Sequence, residues 1–132
     1  MEWDDRYNVG VPLIDEQHRQ LFEHLGKLSD AMHAGDRQAV VATLDFLGVY
    51  VVEHFALEER EMLESKFPFA MTHKSAHAEF IKEFDRLKRE YEASGPTPWL
   101  SIRVRRALID WLKDHILALD QKLGRHLAKS GR

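Results

Sequence analysis

The sequence predicts an all-α protein, an antiparallel up-down-up-down four-helix bundle preceded by an N-terminal arm. Three observations carry this expectation. Four long stretches repeat apolar residues at alternating three- and four-residue spacing, the stripe of a helix buried along one side. Brief connections holding the breakers Gly35, Pro68 and Gly95-Pro96 separate them. No stretch shows the strict alternation of a half-buried strand. Short links between long amphipathic helices make sequence neighbours antiparallel. A length of 132 residues suits a single domain, 1–132, with one core.

Residues 1–14 read as an arm. Trp3, Tyr7 and Val9 to Pro12 mix aromatics with turn formers, which suits a segment packed on the body. The first helix is expected over 15–33, with the stripe Ile14, His18, Leu21, Leu25, Leu28 and Met32, and Gly35 as its stop. Asp36 can cap the second helix, 37–65. Its stripe is Val40, Leu44, Leu47, Val51, His54, Glu58 and Met62, and Pro68 prevents further extension. The third helix, 72–93, carries His73, His77, Phe80, Phe84, Leu87 and Tyr91. Thr97 can cap the fourth, 98–127, and Pro98 suits its first position. Its stripe is assigned to Ile102, Val104, Leu108, Trp111, Leu112, His115, Leu119 and Leu123, with fraying expected from 129 to 132.

Polar residues interrupt the stripes at one height. His54 and Glu58, and His73 and His77, are i, i+4 pairs, so each pair shares a helix face. About the turn near residue 35, His18 lies 17 residues before and His54 lies 19 after. About the turn near 66, the centre of the His54/Glu58 pair lies 10 before and that of the His73/His77 pair 9 after. About the turn near 96, the latter lies 21 before, and position 117, beside His115, lies 21 after. A two-residue mismatch is only ~3 Å of helix rise. One core layer therefore receives His18, His54, Glu58, His73, His77 and His115. Burying that many polar groups without partners would cost several kcal/mol, and a bound metal removes the cost. Imidazole and carboxylate suit a borderline metal such as iron.

Five histidines exceed the needs of one ion, and two ions need a bridging carboxylate. Glu58 is one candidate. The fourth helix offers Asp110, Asp114 and Asp120, among which spacing chooses poorly. Asp120 lies five residues past His115, about 140° away in an ideal helix. It is favoured slightly, because Leu119 keeps that turn facing the core. His24, His33 and His126 match no position in the layer. Phe22 and Phe55 read as packing, and Arg103, Arg105 and Arg106 as a solvated helix face.

Several function classes are excluded or disfavoured by composition. A net charge of -3 gives no electrostatic case for nucleic acid. With no cysteine there are no disulfides and no thiol chemistry. No uninterrupted apolar run approaches the ~18 residues of a membrane span, and the acidic start, Met1 to Asp5, lacks a signal-peptide core. A cytoplasmic protein without a membrane partner is expected.

His18, His54-xxx-Glu58, His73-xxx-His77 and His115-xxxx-Asp120, with the stretch Val9 to His18 leading into the first helix, resemble the hemerythrin family in its bacterial single-domain form. The resemblance covers nearly the whole chain. It implies a non-haem di-iron centre in a four-helix bundle. His73, His77 and His115 would hold one iron and His18 and His54 the other. Glu58 and Asp120 would bridge the two irons together with an oxo or hydroxo group, and the two-histidine iron would keep a position for dioxygen. Trp111 and Leu112 resemble the family's apolar wall beside the oxygen position. The expected function is reversible dioxygen binding, for carriage, storage or delivery, by a protein that is not an enzyme. Sensing of oxygen or nitric oxide and a di-iron scavenging enzyme are the alternatives. Glu-xx-His pairs, which mark carboxylate-rich oxygen-activating bundles, do not occur in the sequence.

Overall fold

The structure is a computed structural model and describes residues 3–131. Met1 and Glu2 of the expected arm, and Arg132 of the expected frayed end, lie outside the described residues. Four long helices pack in a ring: α1 (Pro12–Ala34) on α2 (Arg37–Ser65), α2 on α3 (Ala70–Ser94), α3 on α4 (98–129), and α4 back on α1. There is no strand among the described residues. A single 3-10 turn, Asp5–Tyr7, marks the arm.

Helix ends follow local chemistry. α1 begins at Pro12, three residues earlier than expected, so the arm ends at Val11 and not at 14. Pro12 has no N–H to leave unsatisfied in the first turn, and its fixed φ favours the helix. Asp15 is thereby inside α1, and its carboxylate accepts the backbone N–H of Val9 at 2.7 Å and of Gly10 at 3.3 Å. α1 stops at Gly35, in the left-handed region at φ 69°. Asp36 accepts from Ala39 N and starts α2. α2 closes with Lys66 at φ 59° and a bond from Phe67 N to Met62 O. That is a Schellman ending, with Phe67 packed in the same apolar cluster as Met62. Thr97 accepts from Leu100 N at the start of α4.

α4 is not a uniform α-helix. π turns occupy Val104–Asp110 and Ile116–Asp120, and Gln121 N–H bonds to the carbonyl five residues back, Ile116 O. The buried residues Leu100, Val104, Leu108, Leu112, Ile116 and Asp120 recur every four residues without drifting off the core. In an ideal α-helix each four-residue step overshoots a turn by about 40°, about 200° over five steps. One extra residue in each of two widened turns takes back about 100° apiece. The expected stripe on α4 is corrected accordingly. Ile102 is 45% exposed and Leu119 only half-buried, whereas Leu100, Ile109 and Ile116 face inward.

The core is in two parts. The larger cluster includes Leu25, Leu28, Leu44, Leu47, Phe84, Leu87 and Leu108, towards the α1–α2 turn. The smaller one, Ile14, Met62, Phe67, Leu123 and Leu127, lies towards the α2–α3 turn. A buried polar layer sits between them. α2 also carries an 18-residue window of mean hydropathy 1.6, enough by length and composition to cross a membrane, which counting uninterrupted apolar runs did not register. In the bundle its inner face includes His54 and Glu58, and Phe46, Val49 and Val52 point outward.

The arm is held between α1 and α4. Gln121 Nε2 donates to Arg6 O at 2.6 Å. Gly124 is buried against Val9, and a Cβ built there would lie 2.1 Å from Val9 O. Gly124→Ala is therefore expected to displace the arm and destabilise the protein by about 1–3 kcal/mol in urea unfolding. Gly26→Ala, within α1 and with nothing within 4 Å of the added Cβ, is expected to stabilise it by about 0.5–1 kcal/mol.

Candidate metal centre

Each helix delivers its polar residues to the layer between the two apolar clusters. α1 brings His18, α2 brings His54 and Glu58, and α3 brings His73 and His77, each pair one turn apart on a single face. α4 brings His115 and Asp120. The π turn between them adds a residue to that turn, so Asp120 comes beneath His115 and its Oδ1 lies 3.1 Å from His115 Nε2. Asp110 and Asp114, which spacing left open, are exposed. All seven residues named from the sequence are buried, from 0% exposed for His18 and Glu58 to 5% for His115.

Their ligand atoms form two groups, each with all atoms within 4.8 Å of one another. One group is Glu58, His73, His77, His115 and Asp120, and the other is His18, His54, Glu58 and Asp120. The two carboxylates belong to both, and they divide their oxygens between them. Glu58 Oε2 faces His18 Nε2 at 3.3 Å and His54 Nε2 at 3.1 Å, while Oε1 faces His77 Nε2 at 3.0 Å and His73 Nε2 at 3.5 Å. Asp120 Oδ2 lies 3.0 Å from His18 Nε2, while Oδ1 lies 2.8 Å from His73 Nε2. One oxygen per side from each carboxylate is the arrangement that would link two neighbouring cations.

The electrostatics ask for positive charge. The five imidazole Nε2 atoms and the four carboxylate oxygens are buried, and none makes a hydrogen bond of good geometry despite the short separations. Groups of this kind left unpartnered in a core are costly. Burial opposes charge on His18 and His73, but contacts with Asp120 and Glu58 override it and raise both to about 9. Burial pushes the Glu58 carboxyl up, yet His54, His18 and His73 hold it well below the usual range. Asp120 is raised by burial and by Glu58, and lowered further by His115 and His18. In the metal-free protein protons thus stand where a cation would. Neutral imidazole nitrogens and carboxylate oxygens, two groups of them sharing both carboxylates, fit a pair of borderline divalent metals.

The surroundings of the two groups differ. Phe55 lies flat on His77, ring centroids 3.8 Å apart at 7°, and Trp111 lies flat on His115 at 4.4 Å and 11°. Trp111 is half-buried, and its outer edge borders a groove with Phe80, Glu83 and Ala107. Leu112 points the other way, into a small apolar cavity shared with Leu21, Val51 and Phe80. Those four residues each stand three positions from a histidine of the layer, and Leu25, Leu47 and Phe84, which complete the lining, stand seven, so the cavity spans about 4.5 to 10.5 Å along the bundle from it.

Sequence reasoning missed three neighbours. Gln17 Oε1 accepts from His54 Nδ1 at 2.7 Å, Glu59 Oε2 accepts from His77 Nδ1 at 2.9 Å, and Trp3 of the arm stacks on His18 at 6.4 Å. Gln17 and Glu59 each adjoin a residue of the layer in sequence, a polar position at the right height that could have signalled them. Of the three histidines set aside, His24 stacks on Phe46, His33 is exposed, and His126 ties α4 to Ser65 O at 2.8 Å.

The raised imidazoles set a pH dependence. A pKa raised on folding stabilises the protein fully below the unfolded value, near 6.5, and that stabilisation is lost as pH climbs through about 9. Chelator-treated protein is expected to lose stability in urea between about pH 6.5 and pH 9. The metal-loaded protein, whose imidazoles are already deprotonated, is expected to show no such loss.

Comparison with known proteins agrees with this geometry. The family model described as Hemerythrin HHE cation binding domain matches residues 9–127. A bacteriohemerythrin of Stenotrophomonas maltophilia is 36% identical over 119 residues, which cover 90% of this chain and 76% of that protein. A bacteriohemerythrin of Methylococcus capsulatus is 30% identical over 89% of this chain and 88% of its own length. A myohemerythrin of Riftia pachyptila is 29% identical over 91% of this chain and 88% of its own length. A match that spans both the arm's attachment and all seven buried polar residues places this chain in the hemerythrin family of cation-binding domains.

Proposed function

We propose that this protein binds dioxygen reversibly at a non-haem di-iron centre, in carriage, storage or delivery of oxygen. His73, His77 and His115 would hold one iron, and His18 and His54 the other. Glu58 and Asp120, each with one oxygen towards either group, would serve both irons. The observation that carries the reading is the sharing of both carboxylates by two groups of imidazoles. Two ferrous ions would supply the pair of electrons that dioxygen accepts on binding and returns on release.

The chain's own residues favour binding over further chemistry. Five neutral imidazoles against two carboxylates stabilise high iron oxidation states less than a carboxylate-rich set would. With two protein imidazoles instead of three, the position at His18 and His54 has the room for an added ligand. The small apolar cavity beyond the layer, lined by Leu21, Val51, Leu112, Phe80 and Phe84 among others, would favour a nonpolar gas over water. Trp111 and Phe55 fix the planes of His115 and His77 and exclude water from that side.

The test is spectroscopic. Iron-loaded protein, reduced without air and then given oxygen, is expected to develop a visible charge-transfer band that disappears when oxygen is removed. Irreversible oxidation at the first exposure would overturn the carrier reading in favour of a scavenging enzyme or a sensor. Full loading is expected at two irons per chain. His77→Ala and Glu58→Ala are each expected to lower iron content below that value by metal analysis, whereas His24→Ala leaves it unchanged.

A further inference from the structure

The two halves of the centre are backed by chemically different partners. With the Nε2 atoms of His54 and His77 turned to the inner layer, Nδ1 carries the hydrogen and donates outward. His54 donates to a neutral amide oxygen, Gln17 Oε1, at 2.7 Å. His77 donates to a carboxylate oxygen, Glu59 Oε2, at 2.9 Å. Both bonds cross between helices, from α1 to α2 and from α2 to α3. Both rings are held from other sides as well. His54 packs edge-on against His18 at 4.7 Å, and His77 lies under Phe55 at 3.8 Å. Removing one partner's charge therefore need not release the ring.

We propose that Gln17 and Glu59 are positioning residues that give the two metal positions unequal potentials, with the carboxylate behind His77 making the three-histidine position the easier to oxidise. The proposal rests on the iron-binding reading above and adds to it. A carboxylate draws on the Nδ1 proton and makes the imidazole a stronger electron donor at Nε2, and an amide does so far less. The higher-charged metal gains more from a stronger donor, so the carboxylate-backed position favours the ferric ion. Glu59 is about one-third exposed, so solvent screens part of its charge. The bond to His77 carries the rest. The amide cannot reverse the polarity at His54, because Gln17 Nε2 in place of Oε1 would set a donor against a donor.

Two isosteric exchanges test this. Glu59→Gln keeps an acceptor oxygen and removes the charge, and Gln17→Glu adds one. Potentials are measured by spectroelectrochemical titration of the iron-loaded proteins under nitrogen. At fixed potential, Glu59→Gln is expected to raise the ferrous-to-ferric ratio about tenfold, which is 59 mV for a one-electron step. Gln17→Glu is expected to lower the ratio by a similar factor, and the double exchange to restore it to within about threefold. Both single variants unmoved, or both shifted in one direction, would overturn the proposal.

Zinc-loaded protein gives a reading that needs no redox chemistry and covers any variant that fails to hold iron. In the wild type the His77 Nδ1 proton is expected downfield of its His54 counterpart, and Glu59→Gln is expected to bring the two together. Equal positions in the wild type overturn the proposal. Failure of reversible oxygen binding while the potentials move as expected counts against the dioxygen reading alone. Intact oxygen binding with unmoved potentials counts against this proposal alone.

Discussion

Two carboxylates with almost no solvent contact, Glu58 at 0% and Asp120 at 1% exposure, govern this structure. A bundle core can hold such groups only if positive charge meets them. Five imidazoles do so from all four helices, and the relative heights of the helices are fixed by that meeting. The apolar stripes alone would tolerate sliding by a turn, since leucine against leucine is forgiving. Seven polar groups converging within a few ångströms are not. The layer thus specifies register, and the apolar clusters on either side supply most of the burial.

Much of this was legible in the chain. The i, i+4 pairs in the second and third helices, and the distances of His18 and His115 from the turns, were enough to place six residues at one height. Gly35, Asp36, Thr97 and Pro98 announced ends that the helices use. The fourth helix was read less well, and for a physical reason. A 3.6-residue period was laid over a segment whose buried positions repeat every four. That period puts Ile102 and Leu119 inside and leaves Asp120 only slightly favoured among three candidates, which the family pattern resolves. The steady spacing of Leu100, Val104, Leu108, Leu112 and Ile116 is itself visible in the sequence, and it is the signature of widened turns. The partners behind the histidines are only half legible, since adjacency to a layer residue puts Gln17 and Glu59 at the right height and no more. Gln17 and Glu59 act across helices, and which of many polar residues reaches across depends on rotation about each helix axis.

The two sides of the layer also differ in what borders them. Aromatic rings lie face to face with His77 and His115, whereas His18 and His54 meet edge-on and the arm's Trp3 lies over His18. Flat stacked rings hold an imidazole plane and leave little space. On the proposed reading the side with the stacked rings keeps a metal and the two-imidazole side serves a ligand. The arm contributes to that second side, since Trp3 covers His18 and is itself held through Asp15, Gln121 and Gly124.

A polar layer that splits the core also splits the cooperativity of the molecule. A small cluster, Ile14, Met62, Phe67, Leu123 and Leu127, with Val9, Val11, Leu57 and Ala70 packed against it, closes the end holding the α2–α3 turn, the start of α1 and the last turns of α4. So small a cluster holds its end of the bundle chiefly by being joined to the larger one across the layer. Cations in the layer would make the two ends open and close as one unit. Without them that end would form a separate subglobal unit, its amides exchanging with solvent ahead of those in the larger core.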